Sequence, residues 1–148
     1  MQDLNFPPYH FRFKNRENKI HIFDPVRKKF IVLQPEEWVR QHVIQFLNQE
    51  LGYPMSLINV EKELKVNGLS RRYDVVVFNT RGDIEVLVEC KQPDVAVDQK
   101  VFDQIARYNR VLNGRYLMVT NGLKHIYAQM DYEKEKYVFL KAIPPYMR

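Results

Sequence analysis

Ile84-Glu85-Val86-Leu87-Val88-Glu89-Cys90-Lys91, with Tyr73-Asp74-Val75-Val76-Val77-Phe78 shortly upstream, is the stretch whose reading decides the fold. Both segments carry apolar residues on both faces, the pattern of central strands covered on two sides. The second ends abruptly in a carboxylate and an ammonium. Buried charges are costly unless paired or bound to a cation. Strand side chains alternate, so Glu89 and Lys91 share one face and Cys90 takes the other, as a small core residue. Read as a hairpin with Arg81-Gly82 as a two-residue turn, the pairing sets Thr80 opposite Asp83 and Asp74 opposite Glu89, on one face. An odd-length loop would separate the two carboxylates.

The flanks give the remaining elements. Lys19–Phe23 and Lys29–Leu33 read as a strand pair joined through Asp24-Pro25 and the basic run Arg27-Lys28-Lys29, a solvated hairpin tip. Pro35-Glu36-Glu37 opens a helix with proline in its first turn and acids complementing the helix dipole. Val39, Val43, Phe46 and Leu47 continue it to a stop at Gly52. Ile58–Val66 is a strand, Asn67-Gly68 a turn, Asp98–Leu112 a second helix, and Tyr116–Thr120 a buried strand. Lys124–Ala128 and Tyr137–Leu140 are further strands. Residues 1–18 read as irregular, with Tyr9, Phe11 and Phe13 alternating with His10, Arg12 and Lys14. That alternation fits an N-terminal strand with one buried face, or a surface that stacks bases. The expectation is one α/β domain over 1–148, a mixed β-sheet core flanked by helices with an N-terminal β-hairpin, its core at about 30–130.

Composition bounds the function. The chain has 148 residues, enough for one core, and a net charge of +5, which permits nucleic acid without requiring it. One cysteine excludes an internal disulfide, and the four histidines form no pair at metal-ligand spacing. No signal-peptide pattern and no apolar run of ~20 residues is present, so the expected setting is cytoplasmic, with no membrane.

Two neighbouring carboxylates repel unless one is protonated or a cation lies between them. Hard oxygen donors suit Mg²⁺, for which Mn²⁺ substitutes. Asp74 and Glu89 are the candidate metal ligands, with the backbone carbonyl of Cys90 as a third donor and Lys91 beside the metal-bound water. Asp74, a 14-residue gap and then Glu89-Cys90-Lys91 resembles the signature of the PD-(D/E)xK, restriction-endonuclease-like nucleases. Gln104-Ile105-Ala106-Arg107-Tyr108 is similar to the Q-x-x-x-Y motif of the RecB-like branch. Pro35–Gln41, Glu50–Pro54 and Asn121-Gly122 resemble the N-terminal domain of type I restriction enzyme R proteins. Tyr73 stands where that signature has proline.

The resemblance implies a restriction-endonuclease-like fold and Mg²⁺-dependent hydrolysis of DNA phosphodiester bonds in a restriction-modification or DNA-processing setting. Asp74, Glu89, Lys91, Gln104 and Tyr108 are then the catalytic set. It also implies a helix acid near the metal: Glu36 by helical phase, or Glu37, which faces Arg40 and Gln41 and reads as more solvated. Arg71 and Arg72 are candidates for phosphate contact beside Gln104 and Tyr108, or else a solvated turn. Expected partners are DNA, a second copy in a homodimer, and separate motor or methylase subunits. Type I R subunits carry a translocase downstream and this sequence ends at Arg148, so restriction by translocation is not expected of it alone. The rival readings are a non-catalytic DNA-binding or assembly module, and a protein-interaction module of a defence system.

Overall fold

The structure, a computed structural model, describes residues 1–147, with all their side chains except those of Val66, Leu69 and Val111. Three short strands come first: β1 (Phe13–Arg16), β2 (Lys19–Asp24) and β3 (Lys29–Val32). Helix α1 (Pro35–Gln45) follows, extended by a wide turn through Glu50 and stopped at Gly52, whose φ of +76° suits glycine. Strands β4 (Ile58–Val66), β5 (Leu69–Phe78) and β6 (Ile84–Cys90) form an antiparallel meander. Helix α2 (Gln99–Asn109) crosses over to β7 (Tyr116–Thr120), which runs parallel to β6. Strands β8 (His125–Asp131) and β9 (Lys136–Leu140) complete a six-stranded sheet in the order β4-β5-β6-β7-β8-β9.

The sheet lies between the helices, and the alternation of β6 shows how. Val86, Val88 and Cys90 pack with Val39, Val43 and Leu47 of α1. Leu87 packs with Phe102 and Ala106 of α2. Asp98 caps α2, its carboxylate accepting from Val101 N at 2.9 Å. This is the mixed α/β sandwich expected. No helix among the described residues is long and apolar enough to cross a membrane.

Two local expectations change. The N-terminal segment is not wholly irregular: β1 adds to the hairpin and makes a three-stranded sheet. Its residues are all exposed, so it is not a strand with one buried face. The burial comes before it, where Phe6 and Phe11 pack on His42 and Trp38 along α1. The main chain of Asn5 also reaches Gly122 O at 2.8 Å.

The β5–β6 turn also differs from the two-residue form. Asn79 N donates to Asp83 O, and Asn79 Oδ1 accepts from Arg81 N and Asp83 N, so Thr80-Arg81-Gly82 form a three-residue loop. That odd length pairs Phe78 with Ile84. Beyond it Val77 pairs with Val86, which leaves Glu85 as an extra residue. The bulge compensates for the odd loop, and Val75 pairs with Val88 in the register anticipated from the sequence.

Candidate functional site

The ladder between β5 and β6 stops at Val75↔Val88, so Asp74 and Glu89 lie just where the strands part. In place of a backbone partner, the N–H of Cys90 donates to Asp74 Oδ2 at 2.8 Å. The other Asp74 oxygen accepts from Arg40 Nη2 of α1 at 3.0 Å. Alternation breaks here as well. Tyr73 packs on the α2 side although Val75, two residues on, packs on the α1 side. The irregularity is shared with β4 opposite, where Glu61 takes a left-handed φ of +51° and the β4–β5 pairs skip Glu61 and Asp74.

The two carboxylates therefore do not leave the sheet on one face. Asp74 turns to α1. Glu89 enters a cleft of about 360 Å³ on the α2 side, together with Lys91, Arg72, Tyr73, Gln104 and Tyr108. Lys91 Nζ lies 3.8 Å from Glu89 Oε1. Gln104 and Tyr108, four apart on α2, reach the same cleft. The Arg71 guanidinium stacks 3.8 Å over the Tyr108 ring and donates to its carbonyl at 3.2 Å, so Arg71 is a fixed group rather than a solvated turn.

The charges still act on one another. Burial, then the Asp74 carboxylate, raises the Glu89 pKa to about 7, with Lys91 opposing. Burial and Asp74 likewise raise Glu36 above the usual carboxylate range. Three acids thus share excess negative potential at the end of β6. Among the described residues, no group of three or more His, Cys, Asp or Glu side chains is gathered tightly enough to ligate one ion as it stands. The Cys90 thiol is buried in the α1-side core, and its pKa is raised well above the ordinary value by burial.

Glu37 belongs elsewhere. It is buried, not solvated, because the β2–β3 turn closes over it. Arg27 donates to Glu37 at 2.8 Å and to the fully buried Asp24 at 2.6 Å, and it reaches Glu61 at 3.3 Å. Arg40 donates to Glu37 at 2.8 Å, and Gln41 donates to both Asp24 and Glu37 at 3.0 Å. Arg27 is thus an interior ion-pair centre, which corrects its assignment to a solvated hairpin tip. Arg40 is the group that the sequence reading missed. Burial alone would lower its pKa, but Glu37 and Asp74 outweigh that and hold it above the ordinary value. The available signal was Glu37 three residues before an arginine on one helix face.

With this geometry in view, the comparisons are informative. Residues 35–144 match the family described as type I restriction enzyme R protein N terminus. The chain belongs to that family. Among solved structures, it is similar to a fragment assigned as the HsdR subunit of a type I restriction enzyme from Vibrio vulnificus YJ016, with 23% identity and a TM-score of 0.53. That match covers 76% of this chain but only 24% of the other, so the chain spans about a quarter of that protein's length. A protein assigned as a DUF820 nuclease from Anabaena variabilis ATCC 29413 is similar at 11% identity and a TM-score of 0.48, covering 88% of this chain and 76% of that one. Curated proteins give no match.

Proposed function

We propose that this restriction-related domain is a Mg²⁺-dependent deoxyribonuclease acting on phosphodiester bonds. The observation that carries the reading is Lys91 beside Glu89 in a cleft shared with Gln104 and Tyr108, with burial and then Asp74 raising the Glu89 pKa. The donor set suits a hard divalent cation. All three groups are carboxylates, and Asp74 keeps a lone pair on each oxygen after its two hydrogen bonds.

Asp74 and Glu89 would hold the ion, aided by the Cys90 carbonyl and Glu36, and Mn²⁺ would substitute. When bound, the ion supplies Lewis-acid activation of the phosphate and of the attacking water. Lys91 stabilises negative charge on the phosphoryl oxygen. Arg71 and Arg72 take flanking phosphates, and Gln104 and Tyr108 orient the strand in the cleft. The proposed partners are DNA, a second copy, and motor or methylase subunits of a restriction system. The test is cleavage of linear, circular and branched DNA with Mg²⁺ or Mn²⁺. Asp74→Ala and Lys91→Ala should lose cleavage and keep folding. Wild-type protein inert on every substrate would overturn the reading.

One observation favours a second reading. Arg40 already neutralises Asp74 from within the protein, as a non-catalytic DNA-binding or assembly module would require. Mn²⁺ binding by spin-resonance titration separates the two, because only the nuclease takes up the ion.

A further inference from the structure

The β1–β3 sheet has two unlike faces. Cross-strand partners share a face, so Phe13, Ile22 and Ile31 lie on one, and Ile22 is fully buried against the body. The other face points away. It carries Arg12, Lys14 and Arg16 at every second position, with Lys19 opposite Arg16 and His21 opposite Lys14. The four cations are exposed, and none is ion-paired among the described residues. Glu17 lies in the β1–β2 turn.

Two aromatic rings lie on the same face. Phe23 pairs with Phe30 and their centroids are 5.3 Å apart. The Arg12 guanidinium sits 4.6 Å over Phe23 and 5.6 Å from the Phe30 centroid, and Lys14 Nζ is 5.6 Å from Phe30. Cations two apart on a strand are separated by ~6.8 Å, and side chains as long as Arg and Lys can bring that spacing onto neighbouring phosphates of one backbone. The sheet is also tied to the candidate site. Arg27, in the β2–β3 turn, joins Glu37, which joins Arg40 and through it Asp74.

We propose that the outer face of the N-terminal sheet is a docking surface for a DNA backbone, with Arg12, Lys14, Arg16 and Lys19 on phosphates. This deepens the nuclease reading, on which it rests, by naming where the substrate is held outside the cleft. A regular row of unpaired cations interleaved with rings suits a polyphosphate. An acidic protein partner would require no such regular spacing.

The test is fluorescence anisotropy of a labelled duplex and a labelled single strand of equal length, in EDTA so that nothing is cut. Lys14→Ala/Arg16→Ala/Lys19→Ala should weaken binding by on the order of tenfold. It should also reduce the slope of log K against log salt by about 2–3 for the duplex. Lys14→Arg/Lys19→Arg should bind as wild type does, which controls for damage to the sheet. Binding to either probe that falls in this way supports the proposal. Unchanged affinity and slope, no binding by wild type, or equal displacement by polyglutamate would overturn it. Cleavage by wild type in Mg²⁺ provides the separation: if wild type cuts nothing while the triple variant still loses binding in EDTA, the nuclease reading fails and the docking face stands.

Discussion

Replacing Arg40 with methionine tests whether the interior ion network holds the site together. Arg40 is 6% exposed and bridges Glu37 at 2.8 Å and Asp74 at 3.0 Å. Removing one partner of a buried pair costs about 3–5 kcal/mol, because the remaining charge is stranded. Neither acid is wholly stranded here. Glu37 keeps Arg27 at 2.8 Å and Asp74 keeps the Cys90 N–H at 2.8 Å. The expected cost is therefore at the low end, about 3 kcal/mol, or a fall in Tm of about 6–12 °C for a chain of this length. Urea unfolding of wild type, Arg40→Met, Asp74→Asn and the double variant closes a mutant cycle. The double variant should be more stable than the sum of the singles by at least about 1 kcal/mol, since Asp74→Asn removes the stranded charge. A single cost below about 1 kcal/mol, or an additive cycle, would refute the argument that Arg40 couples Glu37 and Asp74 into one interior network.

Three further outcomes are expected. Gly122 has a φ of +88°, and an added Cβ would lie 2.9 Å from Leu4 Cδ2 and 3.0 Å from Val39 Cγ2, so Gly122→Ala should cost about 1–3 kcal/mol by thermal unfolding. His42 and His125 have pKa values lowered by burial, so both are neutral in the fold. Their contribution is present above the ordinary imidazole pKa and is lost as pH falls below it, and His42→Phe should flatten that acid limb of a stability–pH curve. Under the nuclease reading, Mg²⁺ at 100 times its Kd should stabilise the wild type by about 2.7 kcal/mol, and Glu89→Gln should abolish most of that gain in a calorimetric scan.

What the sequence conveyed was whatever is set locally. Helix α1 was legible from Pro35 and the spacing of Val39, Val43 and Leu47, and the start of α2 from Asp98. The burial of β6 on two sides was legible because its apolar residues do not alternate. Gln104 and Tyr108 were placed beside Glu89 and Lys91 by motif, and the structure brings these four into one cleft. What escaped depends on distant partners. Glu37 looked solvated because nothing near it in sequence shows that Arg27 covers it. Asp74 turns toward α1 where the β4–β5 pairing is interrupted opposite Glu61, an irregularity the sequence does not signal. The register survived an incorrect turn length only because Glu85 bulges, and a loop of polar residues does not reveal such a compensation.

The anchoring of Asn5 bears on how the chain assembles. Its N–H and carbonyl engage Gly122 and His125, and the second contact spans 120 residues of sequence. At ~5–20 residues per second of synthesis, the segment around Asn5 waits ~6–24 s for its binding site to be translated. During that interval the ring of Phe6 lacks its contact with His125. Closure of this arm is thus a late step of folding on the ribosome, and the nascent chain is most open to chaperones before β8 emerges.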